Sequence, residues 1–147
     1  MNLNGKTVVV IGAGSGIGRA VAVDAANAGA TLILGGRTAA PLKETARLAG
    51  GTVRGVDASR EEDVHAFFES IGSFDHLVST IGAGVSGPFW SRLTPGGRER
   101  MFADFALRAP AKRVGVPAEQ ANAVLFALTN PFLTGSVLPI DGGALLM

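Results

Sequence analysis

The chain has 147 residues, which fits one domain with a sizeable core. Hydrophobic residues make up 47% and charged residues 17%, a balance that excludes intrinsic disorder. A net charge of +1 gives no basis for nucleic-acid or anionic-membrane binding, and zero cysteines exclude disulfides and thiolate metal sites, fitting a reducing cytoplasm.

The start Met1-Asn2-Leu3-Asn4-Gly5-Lys6 is too polar for a signal peptide, and no apolar run approaches the roughly 18 residues of a membrane span. Thr7–Ile11 is a β-branched run, as expected of a strand buried on both faces. Arg19–Ala28 has helical spacing, with Ile17, Val21 and Ala25 on one side and Gly29 as C-cap. Thr31–Leu34 is a second buried strand. Pro41–Ala49 reads as a helix with Pro in its first turn, closed by Gly50-Gly51. Thr52–Val56 is a third strand. Glu61–Ile71 is an amphipathic helix with Val64, Phe67, Phe68 and Ile71 inward and acids in its first turn. His76–Thr80 is a fourth strand. This alternation predicts a parallel α/β sheet with right-handed crossovers. Residues 82–97, rich in Gly, Pro and Ser, give no clear strand. Arg98–Leu107 and Ala118–Leu128 read as helices, and Val137–Ile140 as a last short strand.

Between the first strand and its helix lies Gly12-Ala13-Gly14-Ser15-Gly16-Ile17-Gly18. A dinucleotide's pyrophosphate needs backbone N–H groups at a helix N-terminus and a loop without obstructing side chains. Gly12, Gly16 and Gly18 supply that; the other reading is a tight turn without a ligand. An acid at the end of the second strand would bind the ribose 2′-hydroxyl of NAD. Here that end is Gly35-Gly36-Arg37-Thr38. A guanidinium there suits a 2′-phosphate, so NADP(H) is favoured over NAD(H), unless Arg37 is merely a solvated surface residue.

The Gly-x-x-x-Gly-x-Gly spacing, and the run from Arg113-Val114-Gly115 to Leu138-Pro139-Ile140-Asp141-Gly142-Gly143, resemble the short-chain dehydrogenase/reductase family. The resemblance implies a Rossmann-like, doubly wound sheet ordered 3-2-1-4 with the C-terminal strand as a fifth. It implies a single domain over 1–147, with cofactor-binding βα units in 1–82 and the family's C-terminal segment in 84–147. It also implies a site of Gly12, Gly14, Ser15, Gly16, Ile17, Gly18, Arg37, Thr38, Asp57 and Gly82. Asp57 matches the family's adenine contact, although Asp57-Ala58-Ser59 equally suits a polar turn before a helix. Ser79-Thr80-Ile81-Gly82 stands where the family has Asn-Asn-Ala-Gly, so both asparagines that brace this strand are replaced. Gly82 permits close approach of the nicotinamide ribose.

The family's chemistry needs a Tyr-x-x-x-Lys and a serine, and the sequence contains no tyrosine. Lys6, Lys43 and Lys112 read as solvated lysines. Residues 85–91 (Val-Ser-Gly-Pro-Phe-Trp-Ser) resemble the loop after the family's sixth strand. The resemblance therefore jumps a seam at about Ile81–Gly84, omitting roughly three βα-type segments of about 30 residues each. No catalytic residue is assigned. His65 and His76 form no metal site. Ser86 and Ser91 lack a base. Phe89 and Trp90 suit a substrate pocket, the core or an exposed patch equally.

By resemblance the chain is an NADP(H)-dependent oxidoreductase for a small-molecule carbonyl or alcohol, inactive as it stands without its catalytic segment. The alternatives are a non-catalytic NADP(H)-binding module and an oligomeric structural relative. Ala121, Val124, Leu125 and Leu128, with the tail Leu145-Leu146-Met147, suggest a homo-oligomer formed through the C-terminal helix and strand. A tail folded back on its own core is the other reading.

Overall fold

The computed structural model describes residues 1–82 and 94–146. Its contacts divide the chain into two compact units: Met1–Ile81 with Pro117–Ser136, and Gly82–Val116 with Val137–Met147.

In the first unit, β1 (Thr7–Ile11), β2 (Thr31–Gly36), β3 (Thr52–Gly55) and β4 (His76–Ser79) form a parallel sheet in the order β3-β2-β1-β4. They alternate with α1 (Gly16–Asn27), α2 (Ala39–Ala49) and α3 (Glu61–Ile71). Side chains alternate across a strand, so β1 feeds two cores. Val8 and Val10 join Val21, Ala22 and Ala25 of α1, Leu32 and Leu34 of β2, and Leu42 of α2. Val9 and Ile11 face the opposite way, onto Val56 and Phe67, with Val64, Phe68 and Ile71 packed around them. Helices thus cover both faces, and β1 reads as one continuous apolar run because both of its faces are buried.

Helix α5 (Pro117–Thr129) also belongs to this unit. Its Ala121 and Leu125 are buried in the core of α1, and Val124 and Leu128 pack against it. The apolar positions of this helix that pointed to self-association therefore lie in the chain's own core.

Two helix ends follow from glycine. Gly50 closes α2 at φ 73°, its amide bonding the Ala46 carbonyl at 2.8 Å. Gly51 follows at φ 96°, where an added Cβ would lie 2.7 Å from Leu32. At the sheet's start, Asp75 accepts from Lys6 Nζ and the Thr7 amide, both at 2.8 Å. Those two bonds hold its carboxyl below the ordinary aspartate value and tie the entry of β4 to that of β1.

The second unit contains α4 (Pro95–Arg108), capped by the Thr94 hydroxyl, which accepts from the Gly97 amide at 3.1 Å. No residue of α4 is buried; Phe102, Phe105 and Leu107 are all exposed. Lys112, exposed as expected and at φ 55°, donates from Nζ to the Leu107 carbonyl at 2.8 Å, at the end of this helix. Asp141 accepts from the amides of Gly143 at 2.9 Å and Leu145 at 2.8 Å, shaping a final turn at Ala144–Leu146.

The expected strand at Val137–Ile140 does not form, and the sheet has four strands, not five. A strand needs a paired neighbour. The second unit holds no other strand among the described residues, and Pro139 lacks the N–H of a ladder donor. Val137 is left 91% exposed.

Candidate functional site

The end of β1 turns sharply into α1 through residues 12–15. The amides of Gly12 and Ala13 both donate to the Gly35 carbonyl, at 2.9 and 3.3 Å, which fixes the loop to the end of β2. The amides of Gly14 and Ser15 make no hydrogen bond to a described residue. Ser15 is extended at φ −163° and its side chain caps nothing, so the first-turn N–H groups of α1 lack a side-chain acceptor from it.

The three motif glycines have different jobs. At Gly18 a Cβ would collide with the Gly12 carbonyl, and at Gly12 it would lie 2.5 Å from the Thr80 hydroxyl. Gly18 is needed for the helix to close on the loop, and Gly12 for the loop to close on the residue after β4. Gly16 is different: its φ is +54° and an added Cβ would meet nothing within 4 Å. At Gly14 an added Cβ would meet Pro41 at 3.1 Å and the Leu42 amide nitrogen at 3.9 Å. Gly16, with exposed Ser15 and Ile17 beside it, therefore marks the open side of the loop.

Thr80 stands just past β4. Its hydroxyl lies 3.3 Å from the carbonyls of both Ile11 and Gly12, and its amide donates to Ile11 at 2.9 Å. The bracing that seemed lost with the two asparagines is thus supplied by a threonine. Gly82, in the second unit, has nothing within 4 Å of an added Cβ.

Arg37 and Thr38 form the turn from β2 into α2. Thr38 is the N-cap of α2 but makes no side-chain cap bond. Arg37 is exposed, and its guanidinium makes no hydrogen bond or close ion pair with a described residue. The carboxylate that feels its charge is Asp57, after β3. Asp57 accepts from the Ser59 hydroxyl at 2.7 Å and the Ser59 amide at 3.1 Å. These bonds, followed by the charges of Arg37 and Arg60, hold Asp57 below the ordinary aspartate value. The polar-turn reading of Asp57 therefore describes its bonding, and it stays ionised beside Arg37.

Two residues escaped the sequence reading. Thr45, on α2, is completely buried, and its hydroxyl bonds the Ala13 carbonyl at 2.8 Å. Arg19, in the first turn of α1, donates from Nε to that hydroxyl at 3.0 Å and from Nη2 to the Gly14 carbonyl at 2.7 Å. Arg19 and Thr45 lie 26 positions apart, and Thr45 lies 32 from Ala13, so the fold brings these together.

Residues 83–93 and Met147 lie outside the described residues, and with them the expectations for Val85, Ser86, Phe89, Trp90, Ser91 and the last residue of the tail. Among the described residues no three His, Asp or Glu side chains are grouped to hold a metal. His65 faces Glu61 at 3.7 Å on an exposed helix surface. No described helix is long and apolar enough to cross a membrane.

A family model described as short chain dehydrogenase matches residues 6–103, a span containing the glycine loop, all four strands and Arg37. The chain belongs to this family. It is 39% identical over 93 residues to a human protein named dehydrogenase/reductase SDR family member 1, a match covering 56% of this chain and 30% of that one. It is 41% identical over 95 residues to an L-rhamnose 1-dehydrogenase (NAD(P)(+)) of Azotobacter vinelandii, covering 56% and 37%. The chain thus spans about a third of the length of these curated relatives. A short-chain type dehydrogenase/reductase structure from Mycobacterium ulcerans superposes with a TM-score of 0.77 at 19% identity. That likeness covers 99% of this chain and 92% of the other, and it carries the fold.

Proposed function

We propose that this short-chain dehydrogenase chain holds NADP(H) in preference to NAD(H), as part of an oxidoreductase for a small-molecule carbonyl or alcohol. The observation that carries the reading is the pairing of an open phosphate loop with an uncommitted guanidinium. The Gly14 and Ser15 amides have no described acceptor, Gly16 leaves the space beside them clear, and Arg37 is exposed at the end of β2 with no hydrogen bond to a described residue.

The residues present fit the group. The loop amides would donate to the pyrophosphate oxygens, helped by the partial positive charge of the α1 terminus. Arg37, with Thr38 beside it, would pair with the 2′-phosphate. The ionised Asp57 carboxylate accepts hydrogen bonds only, so it suits the adenine amino group. When bound, the dinucleotide supplies a hydride.

The proton for that reaction needs a donor, and the 147 residues contain no tyrosine. Ser79 is exposed at the end of β4, and Lys112 is committed to the Leu107 carbonyl. By itself the chain is therefore a binding module. Missing general acid catalysis alone lowers the rate by about 10²–10⁴. We place the protein in the cytoplasm and expect it to self-associate through exposed apolar surface such as Phe126 of α5. Light scattering at micromolar concentration, with Phe126→Glu as the variant, tests that part.

Fluorescence titration with NADPH and NADH tests the main reading. Tighter NADPH binding is expected, and Arg37→Ala should weaken NADPH alone by about 1.5–3 kcal/mol, the range for a charged hydrogen bond. Equal affinity for the two dinucleotides would count against it. The purified chain should give no NADPH-dependent carbonyl reduction, and ordinary turnover would overturn that part.

A further inference from the structure

We infer that Arg19 and Thr45 are positioning residues that aim the loop amides at the phosphate. The inference rests on the cofactor reading above and adds to it the device that sets the loop's polarity.

The argument starts from the peptide plane. All peptide bonds described are trans, and in a trans peptide the C=O and the following N–H point in opposite directions. The Ala13 carbonyl is held by the Thr45 hydroxyl at 2.8 Å, and the Gly14 carbonyl by Arg19 Nη2 at 2.7 Å. Both oxygens are therefore drawn to the side of the loop that faces α2. The next amides, Gly14 N–H and Ser15 N–H, must then point to the other side. These are the two loop amides that have no described acceptor. Arg19 Nε also donates to the Thr45 hydroxyl, so one guanidinium fixes both peptide planes at once.

The placement of Arg19 supports a purpose beyond packing. A cation in the first turn of a helix is opposed by the helix dipole, and an acid there is favoured. The first turn of α1 carries no acid. The arrangement sacrifices local helix stability and keeps positive potential behind the loop, which suits an anionic ligand. Thr45 likewise carries a buried hydroxyl into a helix interior, where it is satisfied by Ala13, Pro41 and Arg19.

The test compares Thr45→Val, which removes the hydroxyl, with Thr45→Ser, which keeps it, and with Arg19→Met. NADPH affinity is read by fluorescence, and adenosine 2′-monophosphate, which has no pyrophosphate, by its displacement or its amide shifts. Thr45→Val and Arg19→Met should weaken NADPH about tenfold or more. They should leave adenosine 2′-monophosphate within about threefold, and Thr45→Ser should restore NADPH binding. In wild type, inorganic pyrophosphate should shift the Gly14 and Ser15 amide resonances, and in Thr45→Val it should not. Equal losses for both nucleotides would mean a general packing role and overturn the proposal, as would unchanged NADPH affinity in folded variants. If Thr45→Val does not fold, the same two-nucleotide comparison in Arg19→Met decides. Wild type that binds neither NADPH nor pyrophosphate would instead defeat the cofactor reading itself.

Discussion

The first unit and the second unit of this chain are built to different standards. In the first, β1 is sealed on both faces, its loop is clamped by Arg19 and Thr45, and its buried side chains reach zero exposure. In the second, α4 buries none of its residues, and Val137 and Leu145 are left largely exposed. A region that makes its own core can hold a ligand loop in register. Among its described residues the second unit buries only Ala109, so its turns and caps are local. The difference runs parallel to chemistry: every residue assigned to the cofactor except Gly82 lies in the first unit.

The sharpest test compares two leucines. Leu34→Ala, at a fully buried position, should cost about 2–5 kcal/mol in urea unfolding. Leu107→Ala, at 72% exposure, should cost less than about 0.5 kcal/mol. A comparable loss at Leu107 would show that the second unit is packed after all. Within the loop, Gly18→Val should destabilise by about 1–3 kcal/mol through overpacking against Gly12. Gly16→Ala should cost about 1–2 kcal/mol, from its left-handed backbone alone, while still displacing NADPH. Identical unfolding and binding profiles for the two variants would erase the distinction drawn between these glycines.

A smaller effect concerns acid. The folded value of Asp75 lies below the unfolded value of 3.8, so its ionised form favours the folded state. Its contribution is fully present above the unfolded value and is lost as pH falls through the lowered folded one. Stability should therefore drop below about pH 4, and Asp75→Asn should flatten that part of the curve. An unchanged slope would mean that the Lys6 and Thr7 bonds do not tie β4 to β1 in solution. Asp141 is lowered by the Leu145 and Gly143 amides, in the second unit. Asp141→Asn should change amide exchange at those residues and leave the sheet untouched.

Much of the first unit is legible in sequence, for a physical reason. Thr7–Ile11 and Glu61–Ile71 have the bounds expected of them because their patterns are local: a β-branched run, and an apolar stripe with acids at its start. The start of α1 lies three residues before the expected Arg19, since Gly18 is a poor helix former and Gly16 enters the helix from a left-handed backbone. Thr45 was invisible because a threonine in a helix reads as an exposed or neutral residue. Only the approach of Ala13, 32 positions away, gives it a role. Arg19 looks like a surface charge for the same reason. The strand expected at Val137–Ile140 has the right residues and lacks a neighbour among the described residues, which composition does not reveal.

The position of α5 has a consequence for how the chain is made. This helix, Pro117–Thr129, covers the apolar side of α1, Gly16–Asn27, with Ala121 and Leu125. The ribosome releases α1 about a hundred residues before α5 is complete, so at roughly 5–20 residues per second that surface waits on the order of 5–20 s for its cover. During that interval Val21, Ala22 and Ala25 are available to chaperones or to another nascent chain. Translation speed through the stretch between the two helices should then influence how much of the protein reaches its native state.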